Sequence, residues 1–188
     1  PGTMGNLSMS GKINASIFQA VNPRTAGYYS VPLENLRMPT VAISVVLMFI
    51  GGSPASTAGG VKTTTIGVLI ISFYNLVKGK QDVEIFGRRI MPETTIRASA
   101  ILILSMMLIA VSSIILSITE ENTGYDFLEI VYETVSAFST VGLTRGITPF
   151  LSNAGKLILS MMMYIGRVGP MTVAYAFLKK HKNIGNYT

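Results

Sequence analysis

The sequence predicts an all-α membrane protein built from repeated span–pore helix–span units, amounting to half of a four-part pore. Three observations carry this expectation. The chain is 49% hydrophobic and only 13% charged, against about 25% charged residues in soluble domains, and its apolar residues gather in charge-free blocks. Second, the chain matches itself at an offset of 115 residues without a gap: Thr25 falls on Thr140, Gly27 on Gly142, Leu36 on Leu151, Met48 on Met163, Ile50 on Ile165, Gly51 on Gly166 and Thr57 on Thr172. Third, charge alternates between the connections. Lys78, Lys80, Arg88, Arg89 and Arg97 share one, Lys179, Lys180 and Lys182 follow the last apolar block, and Glu120, Glu121 and Asp126 lie between them. Such alternation places residues 78–95 and the C-terminus in the cytoplasm and residues 119–126 outside.

The elements follow in order. Residues 1–15 are polar and Gly-rich, and a short helix is expected over 13–23, stopped at Pro23 because proline disfavours helical geometry in the residue before it. Arg24–Tyr29 is then extended. Residues 39–50 form an apolar helix opened by Pro39, favourable at a first helical position. Its twelve residues reach about 18 Å, short of the roughly 30 Å hydrocarbon core. The strong helix breaker Gly51–Gly60 follows, and helix returns at 65–77. Irregular backbone at membrane depth is tolerated only where it is buried in protein or lines a watery cavity. The break is therefore a functional candidate by position alone.

Residues 78–94 are read as a polar cytoplasmic connection and 95–118 as an outward span. Asp126, with Glu129 completing a capping box, is expected to start a second short helix over 127–138. Residues 154–178 form the last span, interrupted at Gly166–Pro170. The organisation is thus 1–78 as pore helix, filter and broken inner helix, 79–94 as connection, 95–182 as a complete repeat, and 183–188 as tail. The first copy lacks its leading span, and the chain reads as a fragment of a longer polypeptide.

Chemistry centres on the doubled Thr-x-Gly. A Thr-x-Gly strand held inside a membrane points backbone carbonyls at a dehydrated cation, as potassium-selective filters do. The candidate filter residues are Thr25, Ala26, Gly27 and Tyr28, with Thr140, Val141, Gly142 and Leu143. Threonine adds a hydroxyl oxygen, and a short helix ending at the pore adds partial negative charge. Each copy supplies one strand of four, so no metal is expected beyond K+ at these carbonyls. Arg167 lies about 20 Å into the final span, where an unpaired arginine is costly. In the 115-residue register it falls on Gly52. The break's free carbonyls and the hydroxyls of Ser53, Ser56 and Thr57 are expected to receive it, so Gly51, Gly52, Ser53, Ser56, Thr57, Gly59, Gly60, Lys62 and Arg167 form a candidate gate.

Other function classes fall away. Gly59-Gly60-Val61-Lys62-Thr63-Thr64 imitates a phosphate-binding loop, but Val61 separates the glycine from the lysine that such a loop needs contiguous. Glu129 and Glu133 lie one turn apart with no nucleophile or histidine beside them, so they are expected to solvate an outer vestibule or bond the filter backbone. The basic residues are not interleaved with aromatics on one face, which argues against nucleic acid. No enzyme is expected.

Gly51–Thr65, Ser136–Thr144 and Gly166–Pro170 together resemble the Trk/Ktr/HKT potassium transporters, with the bacterial Ktr branch nearest. The resemblance covers nearly the whole chain. It implies four non-identical repeats around a pseudo-fourfold pore, K+ uptake with possible Na+ dependence, and a multi-pass protein of the bacterial cytoplasmic membrane. It also implies one filter glycine per repeat (Gly27 and Gly142), a gating loop at Gly51–Thr65, and an arginine against it at Arg167. The implied partners are the remaining repeats of the same polypeptide, a second copy in a homodimer, the lipid bilayer, and a cytosolic nucleotide-binding ring of the KtrA or TrkA type. Nucleotide would bind that ring rather than this chain. The competing expectation is a non-transporting scaffold or accessory subunit descended from such a pore.

Overall fold

A computed structural model describes residues 3–5, 7–54, 56, 58–79, 83–85, 88–173 and 175. Six α-helices account for most of them: α1 (Met9–Val21), α2 (Met38–Phe49), α3 (Thr63–Val77), α4 (Pro92–Thr119), α5 (Phe127–Phe138) and α6 (Asn153–Val168). A two-residue antiparallel pair, β1 (Glu84–Ile85) with β2 (Arg88–Arg89), sits in the basic connection. The sequence reading did not anticipate this hairpin.

Local chemistry accounts for the helix ends. Ser8 caps α1 by accepting from the Gly11 amide at 3.2 Å, so α1 begins four residues earlier than expected and ends two before Pro23. The chain then turns rather than extends, with the Arg24 and Ala26 amides bonded to Val21 and Asn22 carbonyls. Pro39 and Pro92 stand in the first turns of α2 and α4. The 28 residues of α4 reach about 42 Å, and among the described helices it alone is long and apolar enough to cross a membrane. Asp126 occupies the N-cap of α5 but its side chain makes no cap bond. The expected capping box therefore does not form, because the Glu129 carboxylate is turned to Arg145.

Helix α5 is the hub, packed against α2, α4 and α6. Its Ile130, Ala137 and Phe138 join Leu116 of α4, Leu159 and Met162 of α6, and Val61. Its Tyr132 and Val135 join Val41 and Met48 of α2 with Val141 and Leu143. Apolar side chains give little drive for helix association in lipid, so close approach through small residues matters more. Gly166 supplies it: a Cβ there would stand 1.7 Å from the Phe138 carbonyl oxygen at the end of α5. Outward from this hub α4 exposes Ile103, Met106, Met107, Val111 and Ile114, as a lipid-facing helix does.

Helix α6 ends at Val168 and Gly169 takes φ +92°. Helix resumes over 170–173, so the interruption expected at Gly166–Pro170 falls at its glycine–proline end. The tail over 183–188 and the basic run Lys179, Lys180 and Lys182 lie outside the described residues.

Candidate functional site

Helices α1 and α5 each lead into a Thr-x-Gly segment, and the two segments share one unusual backbone. Among the described residues the only non-glycines with positive φ are Thr25 (φ 64°) and Thr140 (φ 53°). Two residues on, Gly27 and Gly142 follow at φ 72° and 83°. A left-handed L-residue costs about 1–2 kcal/mol, and for a β-branched residue it is an outlier that neighbouring structure must enforce. Where the sign of φ alternates, successive peptide groups face one way rather than to opposite sides. The two segments also meet. A Cβ on Gly27 would lie 2.8 Å from the Val141 carbonyl oxygen, and one on Gly142 would lie 3.9 Å from the Gly27 Cα.

Each segment is fastened to the end of its own short helix. In the second copy the Ser136 hydroxyl donates to the Leu143 carbonyl at 2.6 Å, and the Val141 amide donates to the Ser136 carbonyl at 3.0 Å. In the first, the Tyr28 amide donates to Asn22 Oδ1 at 3.2 Å, and Asn22 Nδ2 donates back to the Tyr28 carbonyl. Tyr28 and Leu143 are register partners, so the same carbonyl is held in both copies. These two carbonyls are therefore turned to the short helices, leaving those of the Thr-x-Gly residues to face elsewhere.

Beneath the second segment lies the break. The Gly51 amide donates to the Val61 carbonyl at 2.8 Å and the Thr63 amide to the Gly52 carbonyl at 3.3 Å, so the chain loops round and Val61 pairs with Ile50 in a parallel bridge. Ser56 donates its hydroxyl to the Ser53 carbonyl at 2.6 Å. Lys62 Nζ curls back to the carbonyls of Ser56, at 3.5 Å, and Ala58. The loop then touches the filter candidate itself. The Gly59 amide donates to Thr140 Oγ1 at 2.9 Å, and a Cβ on Gly59 would come within 2.7 Å of that oxygen. Gly60 packs on Ser139. Thr57 lies outside the described residues.

Arg167, in the last turn of α6, lines a cleft of about 420 Å³ with Ser136, Thr140, Gly142, Met163 and Tyr164. This cleft sets it beside the second filter candidate.

Past the second segment lies a cluster that the sequence half revealed. Glu133, buried on α5, accepts from Thr144 Oγ1 at 2.6 Å and from the Arg145 amide at 3.0 Å through Oε1, and from Thr148 Oγ1 at 2.8 Å through Oε2. It thus bonds the backbone just past the second segment, at Arg145, rather than a filter candidate itself. Arg145 was missed. No spacing rule singles out an arginine in a loop; its burial and partners appear only in three dimensions. Glu120, also buried, accepts from the amide and hydroxyl of Ser152 at the start of α6. Among the described residues no group of three or more His, Cys, Asp or Glu is placed to hold a metal ion.

Residues 2–186 match the TrkH family, described as a cation transport protein. The chain is 44% identical over 183 residues to the Ktr system potassium uptake protein B of Bacillus subtilis, covering 97% of this chain and 40% of that protein. It is 44% identical over 168 residues to the potassium/sodium uptake protein NtpJ of Enterococcus hirae, covering 88% and 37%. The chain spans about two fifths of the length of these relatives. Its fold is similar to that in the crystal structure of the potassium transporter TrkH from Vibrio parahaemolyticus, with a TM-score of 0.77, 20% identity, and 92% of this chain and 38% of that one covered. The fold and a match over nearly every residue agree, and the chain belongs to the TrkH family of cation transport proteins.

Proposed function

We propose that this chain forms part of the pore of a potassium uptake transporter in the bacterial cytoplasmic membrane, with Thr25–Gly27 and Thr140–Gly142 as two of its filter strands. The observation that carries the reading is the shared backbone: positive φ at Thr25 and Gly27, and again at Thr140 and Gly142. Strain repeated at matched positions in two copies suits a role that packing alone does not demand. Carbonyls replacing a hydration shell give the chemistry of K+ selection. Tyr28 and Leu143 serve as the anchors of the strands rather than as ligands. The relatives named for K+ and for K+/Na+ uptake favour K+ as cargo, with Na+ as a second or coupling ion. Further repeats of the same polypeptide, a second copy, and a cytosolic nucleotide-binding ring complete the proposed assembly, with the C-terminus in the cytoplasm.

The test is K+ uptake by the full gene product in cells lacking their own K+ transport. Uptake above background is expected, and Gly142→Ser should lower the preference for K+ over Na+. No K+ flux would refute transport, and an unchanged preference would refute the filter assignment.

Gly51–Gly60 with Lys62 and Arg167 is proposed as the gate below the filter. The loop lies within hydrogen-bond reach of Thr140, and a fixed positive charge on a cation path is a barrier. Arg167→Ala, or shortening of Gly51–Gly60, should raise flux in the closed state. If neither change alters flux or its regulation, the loop and arginine have no gating role.

A further inference from the structure

Outside the filter and the loop, the described residues contain one buried cationic group that the proposed function leaves unused. Arg145 stands two residues past Leu143, the end of the second filter candidate, and is buried. Its backbone amide donates to Glu133 Oε1 at 3.0 Å. Its guanidinium reaches two other places. Nη1 lies 3.3 Å from Glu129 Oε1 on α5, and Nη2 donates to the Glu34 carbonyl at 3.0 Å. Glu34 belongs to the first repeat, 111 residues away in sequence, and its carboxylate packs where a Cβ on Gly146 would stand. One side chain therefore ties together a filter strand, its own pore helix and the neighbouring repeat.

The brace is specific to the second copy. At the 115-residue offset, Arg145, Glu133 and Glu129 correspond to Ser30, Phe18 and Asn14, which cannot reproduce it. The first filter strand is held by Asn22 alone among the described side-chain bonds to Tyr28. A planar guanidinium with donors fixed in a fork holds two partners at a set separation, which a single ammonium cannot do. Carbonyl cages discriminate cations through spacing and rigidity, so a strut fixing the distance between adjacent strands bears on which ion fits.

We propose that Arg145 is a positioning residue for ion selection. Braced on Glu129 and the Glu34 carbonyl, it sets the second filter strand against the first. The inference rests on the transport reading above and deepens it. It acts through the strands, since the guanidinium is turned into protein.

The experiment is concentration-dependent K+ and Na+ uptake by the full gene product, in cells lacking their own K+ transport, with rates normalised to membrane-inserted protein. Arg145→Ala should raise the KM for K+ about tenfold, the loss expected when one charged hydrogen bond and a buried ion pair are removed. It should also lower K+ preference over Na+, with the maximal rate per molecule within about twofold. Arg145→Lys, reaching one partner, should fall between Arg145→Ala and the unmodified protein. Combining Arg145→Ala with Glu129→Gln should add nothing further. If Arg145→Ala fails to insert, Glu129→Gln alone should still raise the KM for K+ by about threefold. An unchanged KM and ion preference, with only abundance or maximal rate reduced, would overturn the inference and leave Arg145 a structural brace. Absence of K+ uptake by the unmodified protein would instead overturn the transport reading, and this inference with it.

Discussion

Helices α2 and α6 occupy the same place in the two repeats and end differently. Both carry glycine at the matched position, Gly51 in one and Gly166 in the other, and both meet a proline soon after. In α6 the helix runs through Gly166, Arg167 and Val168 and breaks at Gly169, immediately before Pro170. In α2 it stops at Phe49. Two consecutive glycines, each about 1 kcal/mol unfavourable in a helix, precede Ser53, which is itself disfavoured by Pro54. The glycine that lets α6 press on the Phe138 carbonyl is, in the first repeat, the place where the chain folds back on Val61. One repeat has thus spent its small residue on packing and the other on a loop. That loop ends against the proposed filter strand of the better-packed repeat, through Gly59 and Thr140.

Valine at the two glycines should separate these roles. Gly166→Val would place a side chain where the Phe138 carbonyl oxygen is 1.7 Å from the first added carbon, and α5 cannot withdraw without disturbing its contacts with α2 and α4. Destabilisation of about 3 kcal/mol or more is expected, seen as a large fall in the thermal midpoint of the purified full gene product. Gly51→Val meets the Gly59 carbonyl oxygen at 2.2 Å, but the loop can shift. Its cost should be smaller, about 1–2 kcal/mol, with resting K+ flux changed. Equal losses of stability would mean that the loop is as integral to the core as the α5–α6 contact.

How much of this was legible in sequence depends on how local each cause is. Pro39, Pro92, Pro54 and the glycine clusters act on their immediate neighbours, so α2, α3, α4 and α5 and the break fall close to where they were expected. The start of α1 was misplaced because Met9–Lys12 looks like polar coil until Ser8 is seen to cap it. Asp126 and Glu129 carry the spacing of a capping box, yet a buried guanidinium attracts Glu129 more strongly than an exposed amide does. The contacts that define the site join residues 81 and 111 apart, Gly59 with Thr140 and Arg145 with Glu34. No periodicity or composition encodes them. The 115-residue register located both filter candidates and paired Arg167 with Gly52. It did not show that Lys62 takes the Ser56 and Ala58 carbonyls.

The anchors of the two proposed filter strands offer the finer comparison. Asn22 holds Tyr28 by both its amide and its carbonyl, whereas Ser136 gives one hydroxyl to Leu143. Removing Ser136 Oγ leaves the second strand its bonds from the Thr140 and Val141 amides to the end of α5, and the Glu133 bonds at its far end. Removing the Asn22 amide leaves the first strand only the turn before it. At about 1 kcal/mol for each hydrogen bond, Asn22→Leu should cost about twice what Ser136→Ala costs, and the loss should be local. Amide hydrogen exchange over residues 25–29 should quicken in Asn22→Leu far more than exchange over 140–144 does in Ser136→Ala. Matching increases would show that the second strand depends on its serine as heavily as the first on its asparagine. The Glu133–Arg145 cluster would then not be the support that distinguishes the two copies.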